Sequence, residues 1–301
     1  PGSLQFQHVQ VKTTHSTVDD VTVAIGYHEL LRVDVAHAKI DMVDVSPLGN
    51  VKMLGVAELG KVAVTGTFGD PRLEGDVLNI QNFSIGDLPF GNVTGGHVDA
   101  DIMKLLVNLR DIHAQKGKSN YELSTGLLDF SGAGMRMDAQ IASKNFDVRD
   151  LFNVFRLDED PRFAEIGGIL DTNVRMHLSL GGAEDACKGG YLDVQASVNA
   201  QHLNVLGEKF DEGHADLEYR WVDQKAGLDG AEIDVRSLSL TKVKKEGRAP
   251  LGSVLGSVVV HRGGELRGSM VVQGFPLGRA DLLGPVASKL EGSISGVARI
   301  G

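Results

Sequence analysis

The residues that come nearest to a chemical motif stand in glycine-rich joints. The stretch Gly66 to Gly75, GTFGDPRLEG, has the glycine density of a loop that cradles phosphate. Such a loop holds its anion at the N-terminus of a following helix. Here alternating apolar residues lead into the joint and out of it, so it lies between two strands. Asp70-Pro71 supplies turn chemistry, because proline fixes φ and aspartate caps the reversal. The joint is predicted to be a sheet corner. Gly117-Lys118-Ser119 has the tail of a P-loop, but Ile112 stands where the first glycine is required, and a polar hairpin tip is expected instead. His28-Glu29 opens like a zinc-peptidase helix, yet Arg32 takes the second ligand position, where a cation repels zinc. Gly292 and Gly296 are spaced like a nucleophile elbow with Ile294 at its centre, so no nucleophile is present.

The remaining polar features are weaker. Ten histidines are scattered singly, with no near second ligand, and solvated or capping roles are expected for them. Asp99 and Asp101 flank Ala100, and Asp158-Glu159-Asp160 forms a short acidic run; either could attract a hard cation only weakly. Asn82-Phe83-Ser84 and Asn92-Val93-Thr94 match the glycosylation sequon, a pattern too common to carry an argument. The expectation is a protein that is not an enzyme, with no catalytic residue, metal or cofactor.

The elements that carry these residues read as strands. In Ile169 to Leu180, Leu170, Val174, Met176, Leu178 and Leu180 fall on one side and Asp171, Asn173, Arg175, His177 and Ser179 on the other. The same period of two places Leu192, Val194, Ala196 and Val198 together, then Ala215, Leu217, Tyr219 and Trp221, then Met135, Met137, Ala139 and Ile141. Val98, Ala100 and Ile102, followed by Leu105, Val107 and Leu109, continue it. Each strand has a dry face and a wet face. The 38 glycines among 301 residues, almost twice the usual share, imply many strand corners.

Charge narrows the partners. With 30 Lys and Arg against 40 Asp and Glu, the net charge of −10 has the wrong sign for gripping a phosphate backbone or an anionic lipid surface, so nucleic acid is not expected. The lone Cys187 provides no disulfide framework and no thiolate metal site. No run of 18 apolar residues and no signal-peptide pattern occurs, and Pro1-Gly2-Ser3 reads as a tag scar on an excised piece.

Three segments break the strand period. Ser46 to Leu59, Phe146 to Ile166 and Phe275 to Leu290 place Leu, Val and Phe at helical steps, and each leads through glycine into a new strand. They mark an internal repeat, with approximate copies 4–75, 76–190 and 191–301 in one continuous segment, 4–301. Residues 78–102 lie against 198–219, both reading strand, polar step, strand, Phe, Gly-His, strand.

Long amphipathic strands, a Leu-rich step and then phrases such as PLG…GKVAVTGTFGDPRLEGDV resemble the TamB and AsmA-like family of Gram-negative envelope proteins, and the repeat logic covers nearly the whole chain. The resemblance implies a periplasmic protein anchored in the inner membrane by a part absent from this sequence. It implies an all-β fold, an elongated, strongly curved antiparallel meander called a β-taco, with an open hydrophobic groove and a few short helices. It also implies a role in phospholipid transport between inner and outer membranes, with lipid acyl chains in the groove, and a link to outer-membrane protein assembly with a TamA-like barrel. Periodicity by itself favours a closed sandwich or β-helix core; the resemblance favours an open groove. On that reading the lining comprises Met135, Met137, Ile141, Val174, Met176, Leu178, Val194, Val198, Leu217, Tyr219, Met270 and Val272. The alternative is a docking module that adds a strand to a partner by β-augmentation.

Overall fold

A computed structural model describes residues 4–26, 30–181, 190–221, 230–243 and 250–301. Pro1-Gly2-Ser3, His28-Glu29 and Cys187 lie outside the described residues. The first strands are β1 (Leu4–Lys12), β2 (Thr17–Ile25) and β3 (Leu30–Asp41), followed by helix α1 (Met42–Gly49). Then come β4 (Met53–Thr67), β5 (Asp70–Ile85), β6 (Leu88–Asp101), β7 (Leu106–Lys116), β8 (Ser119–Asp129) and β9 (Met135–Asp147). Helix α2 (Val148–Val154) and two 3-10 turns, Leu157–Glu159 and Pro161–Phe163, lead into β10 (Ile166–Leu180), β11 (Tyr191–Val205) and β12 (Glu208–Trp221). The chain continues through β13 (Ala231–Val243), β14 (Pro250–Val260) and β15 (Leu266–Pro276), a 3-10 step made of Leu277–Arg279 and Asp281–Lys289, and β16 (Ser293–Ile300).

All sixteen strands belong to one sheet in strict chain order, and every strand pair with a described register is antiparallel. The sheet is an open all-β meander: β1 and β16 are its edges and do not pair with each other. A two-sheet sandwich and a parallel β-helix, the closed cores that periodicity allows, are both excluded by this order. The chain divides into two compact units, Pro1–Ile141 with Met176–Gly190, and Ala142–Arg175 with Tyr191–Gly301.

Among the described residues, six strands lie between α1 and α2 and six more between α2 and the step at 277. The two segments matched in sequence, 78–102 and 198–219, fall on the second and third strands of these runs. The match extends to the backbone: Asn82 and His202, which align in it, both adopt positive φ, 52° and 51°.

Those two residues belong to a wider set. His8, Asp20, Lys61, Asn82, Asp111, Asn145 and His202 all hold φ between 50° and 54° inside strands. All but Lys61 are Asp, Asn or His, the non-glycine residues that tolerate this region best. Register shifts accompany His8, Lys61, Asn82 and Asp111, which marks β-bulges. Each bulge inserts one residue, so the dry face passes from Phe6 to Val9 and from Ile80 to Phe83.

The first helical segment is a correction to the sequence reading. It was expected over Ser46 to Leu59, whereas α1 occupies Met42–Gly49 and Met53–Leu59 is strand. Asp41 starts the helix early, its carboxylate accepting from Val43 N–H at 3.0 Å. Asn50, left-handed at φ 47°, ends it. The second and third segments stand where expected, with Asp147 capping α2 through Arg149 N–H at 2.9 Å. A smaller correction concerns Ile102 and Leu105, which lie in the turn between β6 and β7, Leu105 at φ 55°.

Candidate functional site

The glycine joints resolve as corners. Thr67 pairs with Asp70 across the Phe68-Gly69 turn, and Lys116 pairs with Ser119 across Gly117-Lys118. Arg32 lies on β3 and clasps Asp34 through Nε at 2.8 Å and a terminal nitrogen at 3.0 Å. Asp99 and Asp101 are neutralised by cations: Arg110 lies 3.1 Å from Asp99, and Arg72 and Lys104 lie 2.8 and 3.0 Å from Asp101. Burial works against the Asp101 carboxylate, but hydrogen bonds from Lys104 and the charge of Arg72 outweigh it and hold it below the ordinary carboxylate range. No cluster of three or more His, Cys, Asp or Glu able to hold a metal occurs among the described residues.

Histidines form a pattern that single-strand reading misses. His8 meets Asp20 at 2.7 Å, His15 meets Asp44 at 2.9 Å and His97 meets Asp76 at 2.8 Å. His177 meets Asp138 at 2.5 Å and His261 meets Glu232 at 3.4 Å. All five pairs bridge different elements. Cross-strand register, absent from a one-dimensional reading, brings four of the pairs together, the turn after β1 meeting α1 makes the His15 pair, and their exposure makes each pair worth little to stability.

The extended feature is apolar. Residues directly opposed in an antiparallel pair share a face, so the register can be followed from strand to strand. In the first unit one row runs Phe6, Val23, Val33, Val64, Leu73, Ala100, Val107, Leu128, crossing all eight strands from β1 to β8 without a polar member. At ~4.8 Å per strand the row follows the sheet for about 34 Å. Phe6 is exposed and the other seven are half-buried, so this surface is not sealed by its own side chains. The more deeply buried Val21, Val35 and Val62 form the adjoining row. On the opposite face the matching row reads Thr22, Asp34, Ala63, Glu74, Asp99, Asn108, Leu127.

The second unit repeats the arrangement across β11 to β16. One row is Ala196, Leu217, Val235, Val258, Gly268, Ile300, and the next is Val198, Ala215, Leu238, Gly256, Met270, Ala298. Val198 is buried, the strands after it are half-buried at these positions, and Ile300 and Ala298 are exposed. Accessibility therefore rises toward β16.

All twelve residues assigned to the lining lie away from open solvent. Met135, Met137, Met176, Leu178, Val194, Val198 and Tyr219 are buried. Ile141, Val174, Leu217, Met270 and Val272 are half-buried. In the second unit Val194 opposes Tyr219, Val198, Leu217 and Met270 join the apolar rows, and Val272 opposes Val254 beside them. Met135 is instead fully buried at the end of β9: a Cβ on Gly49 would lie 3.0 Å from both Met135 Cβ and Phe130 Cδ1, so α1 packs there. Tyr219 is covered as well, its ring 5.5 Å from that of Phe155. Sequence reasoning missed Phe6, Val23, Val33, Val64, Leu73 and Val107 as row members, although their alternation carried the signal.

No helix among the described residues is long and apolar enough to cross a membrane. Comparison of the chain with protein-family models, with curated proteins and with solved structures yields no match.

Proposed function

We propose that this chain is a non-enzymatic, lipid-binding segment of a TamB-like periplasmic protein, whose apolar rows hold acyl chains during phospholipid movement between the inner and outer membranes. The observation that carries the reading is the row from Phe6 to Leu128, apolar at every strand and half-open along its length. A row that crosses strands is a path, since neighbouring positions offer the same kind of contact. Transferring a sixteen-carbon tail onto such a surface gains on the order of 10 kcal/mol, at about 0.8 kcal/mol per methylene. Because Val, Leu and Ala repeat from strand to strand, that gain changes little as the tail advances, and sliding meets no deep trap.

Curvature that would make a trough of this surface is supported within the first unit. α1 stands beside the start of β4, yet Gly49 packs on Phe130 and Met135 at the β8–β9 end, and Asn50 Nδ2 donates to the Gly181 carbonyl at 3.4 Å. A flat sheet would hold β4 and β9 about 24 Å apart at ~4.8 Å per strand. The bulges at His8, Lys61, Asn82 and Asp111 supply bending, because a bulged strand kinks and twists more strongly.

The test is extraction of the purified protein with organic solvent followed by mass spectrometry. Phospholipid or fatty acid near one molecule per chain is the expected result, with less from a Val64→Asp variant. Lipid no higher than in an unrelated β-protein would overturn the reading. A second reading, docking to a TamA-like outer-membrane barrel by β-augmentation, is favoured by β16, whose eight residues are all exposed. Proline placed in β16 then abolishes function while charges in the rows do not.

A further inference from the structure

The step at 277–289 is seated differently from α1 and α2. α1 rests on carbon through Gly49, and α2 buries Val148, Phe152 and Val154. In the third step Ala280 and Ala287 are buried, while Leu282, Leu283 and Val286 are exposed. Its seat is a charged cluster at the ends of β12 and β13.

Lys242 and Glu208, 2% and 6% exposed, form an ion pair. Lys242 Nζ also lies 3.0 Å from Asp281 and donates to the Arg279 carbonyl. Glu208 accepts the backbone N–H groups of Asp281 and Leu282 at 3.2 and 3.0 Å. Asp281 accepts from Lys209 N–H at 3.2 Å. Arg279 donates to the Val243 carbonyl at 2.7 Å and lies 3.6 Å from Asp211. The rings of Phe210 and Phe275, 6.2 Å apart, stand 5.9 and 5.2 Å from Lys242 Nζ.

Closure does not require these charges. Replacing a buried ion pair by apolar side chains is often neutral or stabilising, and the chain itself contains the apolar solution. Ile85-Gly86-Asp87-Leu88-Pro89-Phe90 matches Val205-Leu206-Gly207-Glu208-Lys209-Phe210, and Leu88, in the place of Glu208, is fully buried. What charge adds is dependence on conditions.

We infer that Lys242, Glu208 and Asp281 form a releasable latch: loss of charge in the cluster frees the 277–289 step and uncovers Phe210 and Phe275, and restored charge seats it again. Its use in admitting a hydrocarbon chain rests on the lipid-binding reading above. The charged groups facing the cluster among the described residues are Glu208, Lys209 and Asp211 of β12, Lys242 of β13, and Arg279 and Asp281 of the step. Burial works against the Asp281 carboxylate, but hydrogen bonds from Lys242 and Lys209 outweigh it and hold it below the ordinary range. The Asp281 contribution is present above the ordinary carboxylate range and is lost as pH falls through the lowered value, so acid opens the latch.

Hydrogen exchange read by mass spectrometry on the whole chain tests this. Lys242→Met is expected to speed exchange in 277–292 at least tenfold with β11 and β12 unchanged, and the milder Asp281→Asn to speed it a few-fold. Unchanged exchange in both variants, or equal acceleration across the whole unit, overturns the latch. Fluorescent fatty acid titrated into the same proteins separates the two claims. Faster exchange with unaltered uptake refutes the link to lipid entry. Absence of binding in every protein refutes the lipid reading, and exchange alone then decides the latch.

Discussion

Leu73 stands near the middle of the eight-strand row, opposed by Val64 and Ala100, while the next residue, Glu74, faces the polar side. Leu73→Asp should therefore separate binding from folding. Leu73 is half-buried, so the folded state loses about half of the ~1.5–3 kcal/mol that full burial of leucine supplies, on the order of 1 kcal/mol. A bound acyl chain crossing that position loses contact for three or four methylenes at ~0.8 kcal/mol each, about 3 kcal/mol. At 1.4 kcal/mol per tenfold change in affinity, that weakens binding about a hundredfold. The assay is titration of a fluorescent fatty acid into the wild type, Leu73→Asp and the wet-face control Glu74→Gln, with a thermal melt of each. The control should bind within about twofold of wild type by the same arithmetic. Equal affinity of a folded Leu73→Asp protein, or an equal loss in Glu74→Gln, would refute the assignment of faces.

Other outcomes follow from the packing. Hydrogen bonds from Ser16, Thr13 and His15 depress the Asp44 carboxylate to about 2, so its contribution is complete above the ordinary carboxylate range and disappears as pH falls toward 2; acid titration of stability should be shallower in Asp44→Asn. Met135→Ala empties a fully buried site under α1 and should destabilise by about 2–5 kcal/mol in denaturant melts. Ser143 and Thr172 share a buried hydrogen bond of 2.8 Å; Thr172→Val alone should destabilise by about 1–3 kcal/mol, and the double variant S143A/T172V should recover much of that loss. At Gly91, φ is 100° and a Cβ would lie 2.2 Å from the Gln115 carbonyl oxygen, so Gly91→Ala should lower stability by about 1–3 kcal/mol through backbone strain.

Much of the architecture is legible because it rests on local chemistry. Alternation such as Leu192, Val194, Ala196, Val198 names both the strand and its dry face, and corners such as Phe68-Gly69 follow from turn residues. The bulges escape a period-of-two reading, since a polar residue at positive φ shifts every later side chain by one place; the pair Asn82 and His202 is visible only once the two segments are aligned. α1 begins earlier than apolar spacing alone suggests, because its start is set by the Asp41 cap. The rows are not visible on any single strand. Register alone puts Phe6, Val23, Val33 and Val64 side by side, and it also brings His8, His97 and His177 to their carboxylates. Glu208 and Lys242 look like ordinary surface charges until β12, β13 and the 277–289 step converge.

Photo-crosslinking tests the central claim most directly. Benzoylphenylalanine placed at Val64, Val107, Val235 or Val258 should capture phospholipid in cells of an envelope-bearing bacterium, and placed at the neighbouring Thr65, Asn108, Asp234 or Ser257 should not. Lipid adducts at both sets alike, or at neither, would contradict an apolar surface that carries acyl chains.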